Sequence, residues 1–140
     1  MKAASLLFLR ISTGLLLVLW GIIKVAEPAA AVGVSNTYYG GVVSMAALQG
    51  PWGAVQIATG VLAILGLLRR FVYPLQAVML CVGALAISKY LLDPFGMYLL
   101  SQEDSQILFF PSLCVAAATL VLLAFRSDDT LSLDARLVRN

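Results

Sequence analysis

Few residues in this chain could do chemistry, and they are regularly placed. Arg10 and Lys24 lie in the first apolar stretch, Gln56 in the second, and Gln76, Lys89 and Tyr90 in the third. Residues three or four apart share a helix face. On that register each group but Lys89 joins a stripe of small residues. Arg10, Gly14, Leu17, Gly21 and Lys24 form the first stripe, and Gln49, Gly53, Gln56, Gly60, Ala63 and Arg70 the second. Tyr73, Gln76, Gly83 and Tyr90 form the third, and Ser112, Ala116, Thr119 and Arg126 the fourth. Cations and amides on one face can bind an anion, the carbonyl of a quinone, a polar headgroup or a buried partner residue. They do not make a self-contained catalyst. The chain has no His, so imidazole metal sites, His-ligated haem and Ser–His or Cys–His pairs are excluded. Cys-x-x-Cys, P-loop, dinucleotide and haem-attachment patterns are absent as well. No catalytic residue and no metal ligand is therefore assigned.

The elements that carry these stripes follow from composition. In 140 residues the hydrophobic set reaches 61% and the charged set only 11%, with a mean hydropathy of +0.98. Soluble domains are roughly 45–50% apolar and about 25% charged, so too few polar residues remain to cover a water-facing surface. The net charge of +2 leaves no nucleic-acid footprint. A helix crossing ~30 Å of hydrocarbon needs about 20 largely apolar residues. Four stretches meet that requirement, at about 5–24, 52–68, 71–92 and 106–125. They are continuously apolar instead of alternating with period two, which excludes barrel strands. The fold expected is all-α, a four-helix transmembrane bundle over 1–126 with a short cytoplasmic tail over 127–140.

Orientation follows from the cations. Lys2, Arg69, Arg70, Arg126, Arg136 and Arg139 sit at the N-terminus, the second connection and the tail, whereas the first and third connections carry Glu27, Asp93, Glu103 and Asp104. The positive-inside rule puts both termini in the cytoplasm of a bacterial-type inner membrane. Reading residues 1–31 as a cleaved signal peptide is opposed by Arg10 and Lys24, which break its apolar region. The first connection, 25–51, is long and semi-apolar. Tyr38 and Tyr39 suit the headgroup interface, and Val42 to Leu48 suit a short helix that Gly50–Pro51 ends. It is either a lid over the bundle end or one wall of an outward-facing site. In the tail, Ser127 suits the cap of a two-turn helix with Asp128 and Asp129 in its first turn; disorder is the alternative.

A charge at the bilayer centre costs at least ~2.5–3.5 kcal/mol, so depth decides what each cation needs. Arg10 lies roughly 7–8 Å from the cytoplasmic edge. Its side chain leans that way, so it either snorkels to headgroups or turns inward with the glycine stripe. Lys24 and Lys89 lean toward the membrane interior. They either pair locally with Glu27 and Asp93 or form a cationic pocket beside Tyr90 under the outer surface. Cys81 and Cys114 fall near one depth; with nothing nearby to activate a thiolate, they read as buried, inert thiols.

The first stretch, LRISTGLLLVLWGIIK followed by a proline-containing loop, resembles the DoxX family of small four-span membrane proteins. Arg10, Gly14, Gly21 and Lys24 match its one-face pattern. The segment VQIATGVLAILGLLRR is similar to the family's glycine-rich second stretch, through Gly60, Gly66, Arg69 and Arg70. The likeness covers about the first ninety residues. One departure stands out: the family usually carries an acidic residue near the start of the second stretch, where this chain has Gln56. An amide bonds but exchanges no proton and does not balance Arg10. The resemblance implies a membrane subunit associated with an oxidoreductase system, with redox chemistry supplied by a partner protein or a bound quinone. A small transporter and an assembly factor are the alternatives. The partners expected are the lipid bilayer, an oxidoreductase protein and a second copy of the chain. The expected ligand-binding residues are Arg10, Lys24, Gln56, Gln76, Lys89 and Tyr90.

Overall fold

The structure, a computed structural model, describes residues 1–41 and 44–139. Every regular element among them is helical. Helix α1 spans Lys2–Ala26, and Pro28 starts α2 (Pro28–Tyr38) after a single break residue. A residue before proline is pushed out of the helical region, and Glu27 accordingly takes φ −131 and ψ 64. Helix α3 runs Ala46–Leu65 and α4 Arg69–Ala86. A short α5, Ser88–Leu92, follows. After a loop and a 3-10 turn over Ile107–Phe109, α6 spans Pro111–Ala124. A second 3-10 turn at Arg126–Asp128 leads to α7, Leu133–Arg139.

Three segments, Lys2–Ala26, Ala46–Leu65 and Ile107–Ala124, are long and apolar enough to cross a membrane. The expected third span is not one of them. Its helix opens on Arg69 and Arg70, contains Pro74 and Gln76, and breaks at Ile87 instead of continuing to residue 92. The break buries Ile87 and Tyr90. The second span also starts earlier than expected: Gly50 and Pro51 lie inside α3, which begins at Ala46. Of the short helix expected over Val42 to Leu48, Val42 and Val43 lie outside the described residues, and Ala46 to Leu48 form the first turn of α3. Eleven residues of the first connection form the unforeseen α2.

Glycines decide how α1 meets α3. A Cβ on Gly14 would lie 2.8 Å from the Gly60 carbonyl oxygen, and one on Gly21 would lie 2.6 Å from that of Gly53. The reciprocal positions are as tight, at 2.6 and 2.7 Å. The two pairs are seven residues apart on each helix, so the helices run antiparallel in one register with their backbones touching. Small residues permit this approach where apolar surroundings supply no hydrophobic drive between helices. Helix α4 packs chiefly on α6, and Leu6, Ala63, Val72, Tyr73 and Leu122 form the apolar core between the four long helices. Outside, the bundle presents Phe8, Phe71, Val78, Leu85 and Leu120.

The turn from α3 to α4 is three residues long. Gly66 takes φ +69 and ends α3 in the left-handed conformation, with the Leu67 N–H donating to the Leu62 carbonyl at 3.0 Å. This pattern closes a helix with glycine at low steric cost. It also brings the start of α4 against the C-terminal tail.

Candidate functional site

The polar groups separate into two centres at opposite ends of the bundle. Arg10 and Lys24 share a face of α1 but stand about 21 Å apart along it at 1.5 Å per residue.

At the basic end the C-terminal tail folds back into the helices. It forms neither a helix capped by Ser127 nor a disordered segment. Asp129 is inserted beneath the 3-10 turn with a side chain only 1% exposed. Arg10 Nη1 donates to its Oδ2 at 2.9 Å and to Oδ1 at 3.2 Å, and Tyr73 Oη donates to Oδ2. Arg69 Nη1 holds the tail backbone through the carbonyls of Arg126 and Asp129, each at 2.8 Å. Ser132 Oγ donates to the Asp129 carbonyl at 2.9 Å and accepts from the Ala135 N–H. Asp134 then receives the Leu68 and Arg69 N–H groups at 3.0 and 2.8 Å, satisfying the start of α4. Gly66 is required here as well, because a Cβ on it would meet Arg10 Nη1 and the Ser132 side chain. Arg10 thus neither snorkels nor joins the other cations. The carboxylate that Gln56 cannot supply comes from Asp129, near the far end of the chain.

At the other end, α1, α2, α3, α4 and α6 enclose a cleft of about 260 Å³ that is open on one side. Its walls are mostly apolar and include Leu17, Met79, Phe109 and both tryptophans of the chain, Trp20 and Trp52. Into it face Lys24, Ser35, Tyr39, Gln49, Gln56 and Ser112. Lys24 is half-buried, with Nζ 5.2 Å from the centre of the Trp20 ring, a cation–π distance. It forms no ion pair with Glu27 among the described residues. Gln56 is 9% exposed, and its Oε1 has no hydrogen-bond partner among the described residues. A buried unpaired carbonyl costs about 1–3 kcal/mol, so a ligand donor there would recover free energy.

A second, polar cleft of about 430 Å³ lies beside the first. Thr37, Tyr38, Lys89, Tyr90, Glu103, Asp104 and Gln106 line it. Tyr38, Tyr90 and Phe109 divide the two clefts as a cluster of rings, with centroids 4.9 to 5.7 Å apart. Lys89 is exposed and sits 4.8 Å over Tyr90; Asp93 is not its partner. Asp93 turns away and accepts the N–H groups of Met97, Tyr98 and Leu99 at 2.7 Å and of Leu100 at 3.1 Å. Burial by itself would raise the Asp93 carboxyl, but these four donors outweigh it and hold the group well below the usual carboxylate range.

The expected site residues are thus distributed over separate places. Lys24 and Gln56 share the first cleft, Lys89 and Tyr90 border the second, and Arg10 belongs to the opposite end. Gln76 is buried at 1% exposure, with neither amide atom hydrogen-bonded among the described residues, and it lines neither cleft. The sequence did not single out Ser35, and it offered Tyr39 only as a headgroup-interface residue and Asp129 only as part of the first turn of a tail helix. Asp129 had one signal: an intramembrane arginine without a carboxylate on any neighbouring stripe needs one from elsewhere. Of the two cysteines, Cys81 is half-buried but Cys114 is exposed on the outer face of α6, against the expected burial of both. The described residues contain no group of three or more His, Cys, Asp or Glu able to hold a metal. No protein-family model matches the chain, and neither a curated protein nor a solved structure matches it significantly.

Proposed function

We propose that this chain is a four-span membrane subunit of DoxX type that binds the ring of a quinone in the Lys24–Gln56 cleft and serves an oxidoreductase partner. Helix α4 with α5 is the third of the four spans on this reading, and its charged first turn lies at the cytoplasmic headgroups with both termini. The apolar exterior and the Arg69–Arg70 turn support that placement. The observation that carries the ligand assignment is the buried, unpaired Gln56 Oε1 beside a half-buried ammonium in an otherwise apolar cleft. Ligand sites combine apolar walls with a few convergent polar groups, and about 260 Å³ suits a ring whose lipid tail leaves through the open side. Lys24 Nζ would donate to a ring oxygen in either redox state, whereas Gln56 Oε1 would accept from a hydroxyl of the reduced form, the hydroquinone. Bound there, a quinone would supply two-electron carrying capacity that the chain's own residues lack. Trp20, Trp52 and Phe109 exclude water from the ring.

The basic end supports a dead-end site over a transport path, since Arg10, Asp129, Tyr73 and Leu122 fill the bundle there without exposure. The test is mass spectrometry of the lipids extracted from purified protein. Quinone at near-equimolar ratio, lost in Lys24→Ala and Gln56→Leu but kept in Lys89→Ala, is the expected result. Protein carrying no quinone, or variants carrying as much as the parent, would overturn the assignment.

A further inference from the structure

A third cavity, of about 310 Å³, lies at the basic end and is walled by Arg69, Arg70, Arg126, Asp134 and Leu137. Three guanidinium groups converge from the start of α4 and the turn after α6, against a single carboxylate. That carboxylate is already committed: its oxygens accept two backbone N–H groups and lie 3.7 Å from Arg69 Nε. Arg69 is engaged with the tail. Arg70 and Arg126 are exposed and make no ion pair among the described residues. Two uncompensated cations in one cavity favour an anion, and guanidinium forks match phosphate oxygens in pairs.

The surroundings identify which anion. Leu137 forms one wall and is 67% exposed, and Leu133 lies one turn before it on the same face of α7. Phe71, next to Arg70, and Phe125, next to Arg126, are exposed too. A free phosphate in water would gain nothing from the exposed Leu137 wall, whereas a phospholipid would place its phosphate among the arginines and its chains against Leu137 and Leu133. Basic pockets between membrane helices on the cytoplasmic side hold acidic lipid head groups in this manner.

We propose that Arg70 and Arg126 form a binding site for the phosphodiester of an anionic phospholipid, with Arg69 and α7 as its fixed wall. The proposal rests on the membrane placement above but not on the quinone assignment. The tail thereby has two roles: it neutralises Arg10 through Asp129 and completes a lipid site through Leu137.

The test reconstitutes parent protein and Arg70→Gln/Arg126→Gln into vesicles of equal parts phosphatidylglycerol and phosphatidylcholine, followed by detergent extraction and native mass spectrometry. Retained phosphatidylglycerol in the parent, with a preference over phosphatidylcholine that falls about thirty-fold in the double variant, is expected from the typical worth of two arginines near acidic lipid. Arg70→Lys/Arg126→Lys should keep part of the preference and serves as the folded comparison if the glutamine variant does not insert. Equal retention of both lipids by the parent would overturn the proposal, as would an unchanged preference in the glutamine variant. Displacement of phosphatidylglycerol by millimolar inorganic phosphate would show a free anion to be the occupant and overturn the lipid assignment. Failure of the parent to resist alkaline extraction from the vesicles would overturn the membrane placement itself, which separates that failure from loss of lipid preference.

Discussion

Asp129 is the residue whose removal should be felt most. Its carboxylate is 1% exposed, and its partner Arg10 is 3% exposed. Truncation by Asp129→Ala leaves the Arg10 guanidinium buried without a counter-charge and the Tyr73 hydroxyl without its acceptor. Breaking a buried pair from one side costs about 3–5 kcal/mol, a large share of the roughly 5–15 kcal/mol that holds a domain folded. Tyr73→Phe removes only one hydrogen bond to a charged group and should cost about 1.5–3 kcal/mol. The informative variant is Arg10→Met/Asp129→Leu, which removes both charges and fills the space with apolar atoms. It should be more stable than Asp129→Ala by about 2 kcal/mol or more, because the penalty of the single change lies in the stranded charge. Equilibrium unfolding in mixed micelles, followed by circular dichroism, measures all four proteins. An Asp129→Ala protein within about 0.5 kcal/mol of the parent would refute the docked tail. A double variant no more stable than the single would refute the stranded-charge reasoning.

Three further outcomes follow from other contacts. Gly60→Ala places a methyl 2.6 Å from the Gly14 carbonyl oxygen; it should force α1 and α3 apart and lower stability by about 1–3 kcal/mol, and an unchanged unfolding midpoint would contradict the close seam. Gln76→Met removes, at similar volume, an amide that has no hydrogen-bond partner among the described residues, and should raise stability by about 1 kcal/mol or more; a loss of that size would mean the amide is bound. Asp93→Asn should destabilise the loop after α5. Since the folded Asp93 carboxyl lies below its unfolded value near 3.9, its contribution is full above about pH 4 and fades only as the pH falls toward the depressed folded value. The stability difference between parent and variant should therefore be flat from pH 8 to about 4, and a difference that vanishes by about pH 6 would exclude the four-donor cradle.

The inward stripes were legible because helical period and residue size dictate them: Gly14, Gly21, Gly53 and Gly60 could face only another backbone, and the structure buries all four. The same period could not say which stripe meets which, so Arg10 and Lys24 shared a face without sharing a site. Three boundaries shifted for local reasons. Pro51 is the sixth residue of α3, past the first turn, so it removes one helix hydrogen bond without ending the helix. Pro28 starts α2 directly after α1, so the loop that looked irregular is largely helix. At Ile87 no sequence signal announced the break, after which Tyr90 packs against Tyr38 and Phe109. The pairing of Asp129 with Arg10 escaped the pattern for a different reason. The two lie at opposite ends of the chain, and contacts of that separation leave no periodic trace in one sequence. The tail looked soluble because its polar residues are many, yet they are spent on Arg10, on Arg69 and on the start of α4.

Both tryptophans line the proposed quinone cleft, so intrinsic fluorescence reports its occupancy directly. Delipidated protein titrated with a short-chain quinone or its hydroquinone should show saturable quenching; Lys24→Ala should weaken the apparent affinity for both forms and Gln56→Leu that for the hydroquinone, each by about tenfold or more, the worth of one hydrogen bond involving a charged or buried group. Quenching that rises linearly without saturating, and identically in parent and variants, would mean that the quinone only dissolves in the micelle and that the cleft does not bind it.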